Sequence, residues 1–284
     1  MKQSGSTKIV GLIGYPVEHS RSPLMHNAAF ECLGLDFVYL LFSVRPGYLK
    51  EAVMGLKALD IAGANVTIPY KEEVMKYLDE ISSEAKFIGA VNTIHNKEGK
   101  LIGYNTDGQG FITSLLDEGR VKLESQKVFL IGAGGAGKAI AVKLVERAVE
   151  RLVIIDKVEE KAKALVKRLR ENVPDCPVYT SPDVGEEFAK AVRESTLLIN
   201  ATPVGMNEGD PCVIDPNCLH KGLLVYDVVY NRETPLIEEA KKRGLRVLGG
   251  IGMLIYQGAA SFEIWTGRKA PVEIMRDRLI QAFH

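Results

Sequence analysis

Residues 127–137 read KVFLIGAGGAG, a short apolar run that passes directly into glycines. The segment Gly132 to Gly137 fits the pattern G-x-G-x-x-G, and helical spacing follows from Lys138 to Ala148. Glycines allow a pyrophosphate to approach backbone N–H groups, and the helix N-terminus faces the phosphates with its positive end. The segment therefore predicts the first βα unit of a Rossmann domain, in which the cofactor-binding residues are Gly132, Ala133, Gly134, Gly135 and Ala136.

Asp156 follows the next strand signal, Leu152 to Ile155, and lies about 24 residues after Gly132 (156 − 132). Rossmann domains place a ribose-binding carboxylate ~20 residues after the glycines. A carboxylate accepts hydrogen bonds from a 2′-hydroxyl and repels a 2′-phosphate, so Asp156 favours NAD. Lys157 either offers that phosphate a cation or is simply solvated. Lys161 is a further candidate on the cofactor side.

Strand and helix signals alternate on both sides of this segment. Later strands are predicted at Val178-Tyr179, Leu197 to Ala201, Leu223 to Val229 and Arg246 to Leu248, and Met253 through Phe283 is predicted to be helical. Earlier strands are predicted at Lys8 to Gly14, Phe37 to Val44 and Ala62 to Ile68, with helices at Pro23 to Leu33, Tyr48 to Ala58 and Lys71 to Lys86. Ser22 is a possible N-cap ahead of Pro23.

This alternation predicts an α/β protein of two domains. Residues 1–110 form a mostly parallel α/β substrate-binding and catalytic domain, and residues 111–252 form the Rossmann NAD(P)-binding domain. The C-terminal helices, residues 253–284, are expected to pack back onto the first domain. A cleft is expected between the domains, with closure on binding.

Composition excludes several classes of protein. The 284 residues carry 36 basic and 36 acidic side chains, so no excess charge indicates a nucleic-acid or membrane partner. Residues 1–8 do not lead into the long apolar run of a signal peptide, and no stretch approaches the ~20 apolar residues that span a bilayer. The four cysteines form no Cys-x-x-Cys pair, which predicts reduced thiols, no zinc site and a cytoplasmic location.

Four segments are unusually polar for their positions after strand and turn signals. They are His19 to Pro23, Asn65 to Lys71, Val91 to Thr93 and Gly103 to Gly108. Ligands of open α/β sheets collect beyond the carboxyl ends of strands, and these hydroxyls and amides, with Lys71 and Asp107, suit a small polyhydroxylated acid. Each segment also has an ordinary structural interpretation, as turn and cap serines, a strand terminus or a helix N-cap.

Taken together, these segments resemble the shikimate dehydrogenases of the shikimate/quinate dehydrogenase family, and the resemblance covers nearly the whole chain. The motifs that carry it are Gly14-Tyr15-Pro16, His19 to Asn27, Asn65 to Lys71, Gly89 to Thr93, Tyr104 to Gly108, Gly132 to Ala136, Asn200 to Met206 and Gly249 to Ala259. Several long motifs in the family's order make the match specific.

The resemblance implies a role for each matched residue. Lys71 and Asp107 are implied to be the catalytic pair. The implied substrate-binding residues are Ser20 and Ser22 at the carboxylate, together with Asn65, Thr67, Lys71, Asn92, Asp107, Tyr230 and Gln257. Gly132 to Ala136 are implied to hold the pyrophosphate, while Val228 and Gly250 line the nicotinamide side.

The implied reaction is the reversible NAD(P)H-linked reduction of 3-dehydroshikimate to shikimate. Lys71 exchanges the hydroxyl proton and Asp107 orients the lysine, so no metal is needed. The family default is NADP, but many members carry Asn-Arg-Thr where this chain has Asp156-Lys157-Val158. That departure favours use of NAD.

Alternative readings remain open. A quinate or dual quinate/shikimate dehydrogenase is one, because a pocket discriminates weakly against one added hydroxyl. A nucleotide-sensing Rossmann protein without turnover is another, but it would not need both Lys71 and Asp107. A homodimer is one alternative for the assembly of this chain.

Overall fold

The computed structural model describes residues 4–173 and 176–282. The chain divides into two compact units. One comprises the chain up to Gly110 together with the segment from Ile255 onward, and the other comprises Phe111–Leu254. The two-domain α/β class is thereby confirmed, including the return of the C-terminal helices to the first unit. Residues 1–3 and Phe283, on which sequence-based expectations fell, lie outside the described residues.

Strands and helices alternate along the described residues. The strands are β1 (Lys8–Gly14), β2 (Phe37–Ser43), β3 (Gly63–Val66), β4 (Glu80–Ile81), β5 (Thr93–Lys97), β6 (Lys100–Tyr104), β7 (Lys127–Ile131), β8 (Arg151–Ile155), β9 (Val178–Thr180), β10 (Leu197–Asn200), β11 (Leu224–Asp227) and β12 (Arg246–Leu248). The α-helices are α1 (Ser22–Cys32), α2 (Leu49–Ala58), α3 (Ser83–Ile88), α4 (Asp107–Asp117), α5 (Gly135–Glu146), α6 (Glu159–Asn172), α7 (Gly185–Arg193), α8 (Pro235–Lys242), α9 (Ile251–Thr266) and α10 (Val272–Gln281).

The first unit contains a sheet in the order β2-β1-β3-β5-β6-β4. β5 runs opposite to its neighbours β3 and β6, whereas the other pairs of the sheet are parallel. The β5–β6 hairpin turns at Glu98 and Gly99, both with positive φ, which suits a tight hairpin turn. The polar segments that the sequence singled out follow β1 and β3, precede β5 and follow β6.

The prediction of one helix from Lys71 to Lys86 is wrong. Glu73–Tyr77 forms a short 3₁₀ helix, and Leu78 is then extended with φ −98° and ψ 147°. Glu80 and Ile81 pair with Ile102 and Gly103 of β6, and the Ser82 hydroxyl caps α3 by accepting from Ala85 N–H. Sheet pairing overrides the helical spacing of the apolar residues.

Ser22 is likewise not the N-cap of α1. The helix begins at Ser22 itself, and the cap position belongs to Arg21, which makes no side-chain capping bond. The reason is local, because Ser22 Oγ accepts a hydrogen bond from the Ser20 hydroxyl at 3.3 Å. The serine side chain therefore faces its neighbour in the loop.

The second unit contains a fully parallel sheet in the order β12-β11-β10-β7-β8-β9. Counted from β7, this is the strand order 3-2-1-4-5-6 of Rossmann domains, whose switch point lies between the first and fourth strands. Here those strands are β7 and β10, and the glycine turn follows β7. Among the described residues, no helix combines the length and the apolar character that crossing a bilayer requires.

Candidate active site

A lysine–aspartate ion pair lies at the centre of the polar cluster of the first unit. Lys71 Nζ is 2.5 Å from Asp107 Oδ2, and the two side chains are 17% and 6% exposed. The carbonyl of Lys71 accepts from Val91 N–H at 2.7 Å, and Asp107 N–H donates to Asn105 Oδ1 at 3.0 Å. Both backbones are therefore fixed. The sheltered pair interacts more strongly than it would in bulk water.

Asn92 connects this pair to helix α9. Its Nδ2 donates to Asp107 Oδ1 at 2.9 Å and lies 3.3 Å from Gln257 Oε1. The orientation of the amide is set by the Thr106 N–H, which can only donate and which donates to Asn92 Oδ1 at 2.8 Å. Three residues predicted to contact substrate, Asn92, Asp107 and Gln257, are thus brought together.

The loop after β1 approaches the end of β3 closely. A Cβ on Gly14 would lie 2.3 Å from Thr67 Cγ2, a distance that the backbone tolerates only with glycine. Tyr15 N–H donates to Ile68 O at 3.1 Å, and Thr67 N–H donates to Ile13 O at 2.9 Å. The loop that carries the two predicted carboxylate-binding serines is therefore joined to the segment that carries Thr67.

Within that loop, the two serines are neighbours in space as well as in sequence. Ser22 N–H donates to Ser20 Oγ at 3.3 Å, and the Ser20 hydroxyl donates to Ser22 Oγ at the same distance. The Glu18 carboxylate closes the loop by accepting from Val17 N–H and from the Ser43 hydroxyl. A hydrogen bond from the backbone N–H of Glu18 itself, followed by those from Ser43 and Val17, lowers the pKa of Glu18. The serine hydroxyls are thereby held on one short turn.

Asn65 is 6% exposed and hydrogen-bonded on both sides of its amide. Its Oδ1 accepts from the Tyr39 hydroxyl at 2.9 Å, and its Nδ2 donates to Ser261 Oγ at 2.9 Å and to Asn92 O at 3.1 Å. Its predicted contact with substrate stays a prediction. Sequence reasoning did not single out Ser261, whose signal is its position one helical turn after Gln257.

The glycine turn of the second unit is shaped for close backbone approach. Gly132 has φ +105°, and a Cβ on Gly137 would lie 1.9 Å from Gly132 O. Gly134 is the N-cap of α5 without a side-chain cap, and a Cβ placed on it would meet no atom within 4 Å. The first N–H groups of α5 are thus available to an anion, so these residues fit a dinucleotide pyrophosphate.

Asp156 bridges the glycine turn and the start of the segment before α6. Its Oδ2 accepts from Ala133 N–H at 2.7 Å, and its Oδ1 accepts from Val158 N–H at 2.9 Å. Each oxygen keeps a further lone pair for a ribose hydroxyl. Lys157 and Lys161, the two candidate cations, are exposed.

Val228 and Gly250, the predicted nicotinamide-side residues, are in direct contact. A Cβ on Gly250 would lie 2.1 Å from Val228 O, so this approach requires glycine. The end of β11 before them is fixed by buried Asp227, which accepts from Asn200 Nδ2 at 3.0 Å and from the Thr234 hydroxyl at 2.7 Å. Burial raises the pKa of this carboxyl despite these bonds. Tyr230, a predicted substrate contact, follows Val229 in the same unit and is half-buried.

Family models match most of the chain. The substrate-binding domain of shikimate dehydrogenase matches residues 12–94, and the C-terminal domain of shikimate 5′-dehydrogenase matches residues 250–280. The NADP-binding domain of saccharopine dehydrogenase matches residues 128–247. The first two matches lie in and around the unit that holds Lys71 and Asp107, and the third spans the Rossmann sheet.

Whole-length relatives carry the same family name. The shikimate dehydrogenase (NADP(+)) of Methanopyrus kandleri is 46% identical over 278 residues, which cover 97% of this chain and 96% of the relative. A crystal structure of a shikimate dehydrogenase in complex with NADP+ superposes with a TM-score of 0.90 at 43% identity, covering 100% of this chain and 98% of that one.

Two further solved structures bear on cofactor and substrate. Shikimate 5-dehydrogenase of Listeria monocytogenes, in complex with shikimate and NAD, has a TM-score of 0.88 at 38% identity, covering 98% of each chain. Quinate dehydrogenase of Corynebacterium glutamicum, in complex with NAD, has a TM-score of 0.88 at 33% identity, covering 97% of this chain and 99% of that one.

Proposed function

The chain belongs to the shikimate dehydrogenase family, and we propose that it is a cytoplasmic oxidoreductase that interconverts 3-dehydroshikimate and shikimate in aromatic amino acid biosynthesis. The observation that carries the proposal is the Lys71–Asp107 pair, held by Asn92 beside Gln257. A protein that only senses a nucleotide has no need of a sheltered proton-transfer pair.

The chemistry proposed for the pair balances in both directions. In oxidation, the C3–H bond of shikimate breaks and its electron pair leaves as hydride, while the hydroxyl proton passes to neutral Lys71 Nζ. The nicotinamide of the bound cofactor would accept this hydride in oxidation and supply it in reduction. In reduction, the Lys71 ammonium returns the proton to the carbonyl oxygen and stabilises the charge that develops there. Asp107 Oδ2 orients the amine throughout.

The remaining side chains of the first unit are assigned to substrate binding. Ser20 and Ser22 present adjacent hydroxyls on one turn, which suits the two oxygens of a carboxylate. Thr67 is joined to that loop, and Asn92 and Gln257 offer amides beside the ion pair.

The second unit is assigned NADP, with measurable use of NAD. The uncapped start of α5 and the glycine turn suit the pyrophosphate that both cofactors share. Lys157 and Lys161 are assigned to the 2′-phosphate of NADP, whereas Asp156 suits the 2′-hydroxyl of NAD.

A steady-state assay tests the function directly. Shikimate and quinate are each offered with NADP and with NAD, and initial rates are measured in both directions. The proposal expects shikimate to give the larger specificity constant. Quinate turnover equal to or above shikimate turnover would instead support the second candidate, which the likeness to a quinate dehydrogenase favours. Absence of turnover with both substrates would refute the assignment.

A further inference from the structure

Three buried hydroxyls meet behind the ion pair of the first unit. Thr93 lies on β5, Thr106 lies just before α4, and Ser261 lies on α9; none is more than 5% exposed. Ser261 Oγ is 2.8 Å from Thr93 Oγ1 and 3.2 Å from Thr106 Oγ1, and the two threonine hydroxyls are 3.4 Å apart. A polar cluster buried this deeply is stable only if its hydrogen bonds are satisfied.

The cluster lies between two amides and leads to the carboxylate. Asn65 Nδ2 donates to Ser261 Oγ at 2.9 Å on one side. On the other side, the Thr93 hydroxyl donates to Asn92 Oδ1 at 2.9 Å, and Asn92 Nδ2 donates to Thr106 Oγ1 at 2.9 Å, which leaves the Thr106 proton for Ser261 Oγ at 3.2 Å. Since Asn92 Nδ2 donates to Asp107 Oδ1, Ser261 is connected to Asp107 through one threonine and Asn92.

Ser261 also bonds the helical turn that carries Gln257. Its hydroxyl is 3.0 Å from Gln257 O, and the Gln257 side chain lies 3.3 Å from Asn92 Nδ2. Removing the Ser261 hydroxyl is therefore expected to affect both residues of the Asn92–Gln257 contact. A serine that only bonds its own helix would lack the three contacts to Asn65, Thr93 and Thr106.

We propose that Ser261 is a positioning residue for substrate binding, which acts through Asn92 and Gln257 without touching the substrate. The inference rests on the proposed function, because Asn92 and Gln257 are assigned to substrate there. Its consequence is that substrate affinity depends on a hydroxyl of α9 that lies behind the site.

The experiment compares two buried serines. Ser195 is 4% exposed, and its hydroxyl donates to Ala191 O at 2.8 Å, so Ser195→Ala loses a similar helix bond away from the cluster. Ser261→Ala is expected to raise KM for shikimate about fivefold, which corresponds to about 1 kcal/mol. KM for NADP is expected to stay within twofold of wild type in both variants, and Ser195→Ala is expected to leave KM for shikimate unchanged.

Two further variants separate positioning from simple loss of stability. Ser261→Thr keeps the hydroxyl and is expected to return KM for shikimate toward the wild-type value, whatever its melting temperature. In an Asn92→Ala background, Ser261→Ala is expected to change KM for shikimate less than twofold, because the residue it acts through is gone. An equal effect in both backgrounds, or a lower melting temperature with unchanged KM, would overturn the inference.

The outcomes stay separate from those of the proposed function. Wild-type turnover of shikimate tests the function, whereas the ratio of variant to wild type tests Ser261. If wild type turns over quinate instead, the same ratio is taken on quinate. If there is no turnover, the shikimate-induced rise in melting temperature gives the ratio. If Ser261→Ala does not fold, Ser261→Cys, which preserves size and weakens hydrogen bonding, is expected to raise KM by a smaller factor, and an unchanged KM would refute the role.

Discussion

The two units present their polar groups in different ways. Around the ion pair of the first unit, side chains bond to side chains: Asn92 holds Asp107, and a hydroxyl cluster holds Asn92. In the glycine turn of the second unit, backbone approach dominates, with Gly137 packed against Gly132 O and Asp156 bonded to a backbone N–H. In the first unit, the substitution of one side chain is therefore expected to remove the proton transfer. In the second unit, the site depends on the path of the backbone.

The largest effect is expected when the amine of the ion pair is removed. Lys71→Met should lower kcat by about 10²–10⁴-fold, the usual contribution of a general acid–base group, with substrate affinity much less changed. Kinetics and calorimetry with shikimate measure the two quantities. Lys100→Met is the control, since Lys100 forms an exposed pair with Glu80. Loss of shikimate binding with an unchanged kcat would remove the role assigned to Lys71.

Features set by a local pattern could be predicted from the sequence, whereas features set by contacts between distant residues could not. The glycine turn is local, so its strand and its helix were predictable from one stretch of chain, whereas the bond from Ala133 N–H to Asp156 was not. The helix expected at residues 71–86 was wrong because Glu80 and Ile81 pair with β6, which follows twenty residues later. The position of Ser261 one helical turn after Gln257 was too weak a signal to single it out, because its partners Asn65 and Thr93 are distant in sequence.

The second expected effect concerns His26, a fully buried histidine of α1. Its ring stacks on Tyr39 with centroids 4.4 Å apart, and neither ring nitrogen has a hydrogen-bond partner. Burial lowers the pKa of His26 to about 3. The unfolded chain binds this proton below about pH 6.5 and the folded chain does not. The contribution of His26 to the free energy of unfolding should therefore be fully present above pH 6.5. It should fall by about 1.4 kcal/mol per pH unit as the pH drops toward 3.

His26→Phe keeps a ring in place and removes the titrating group. Between pH 7 and pH 4.5, the free energy of unfolding of wild type should fall about 3 kcal/mol more than that of the variant, measured by urea denaturation. Exposed His19, replaced by Gln, is the control and should follow wild type. Parallel pH curves for wild type and His26→Phe would show that the buried ring takes up a proton in the folded state.

Two glycines of the second unit should separate folding from cofactor binding. Gly137→Ala forces a Cβ to 1.9 Å from Gly132 O, so the variant should lose about 1–3 kcal/mol of stability. Gly134→Ala meets open space at φ −78° and ψ −171°, so its stability should match wild type. It should nevertheless raise KM for the cofactor, because the methyl group occupies the approach to the α5 N-terminus. Equal melting temperatures for both variants would contradict the packing argument.

The smallest expected effect concerns cofactor choice at Asp156. A carboxylate near a phosphate dianion repels it. In a solvent-exposed site this repulsion amounts to about 1 kcal/mol, or roughly a fivefold change in the ratio of specificity constants. Asp156→Asn removes that charge, but it also leaves only one side-chain oxygen for the two N–H groups of Ala133 and Val158. The second loss affects NAD and NADP alike. The ratio of their specificity constants therefore isolates the charge, and it should move toward NADP by roughly fivefold.

Lys157→Ala should move the same ratio toward NAD if that ammonium reaches the 2′-phosphate, although a lysine grips phosphate less firmly than the planar fork of an arginine. Exposed Asp183, replaced by Asn in the same unit, is the control and should leave the ratio unchanged. Wild type should turn over NAD measurably at millimolar concentration. No NAD turnover, or an unchanged ratio in Asp156→Asn, would mean that Asp156 serves only to bridge the glycine turn and that the 2′-position is read by other groups.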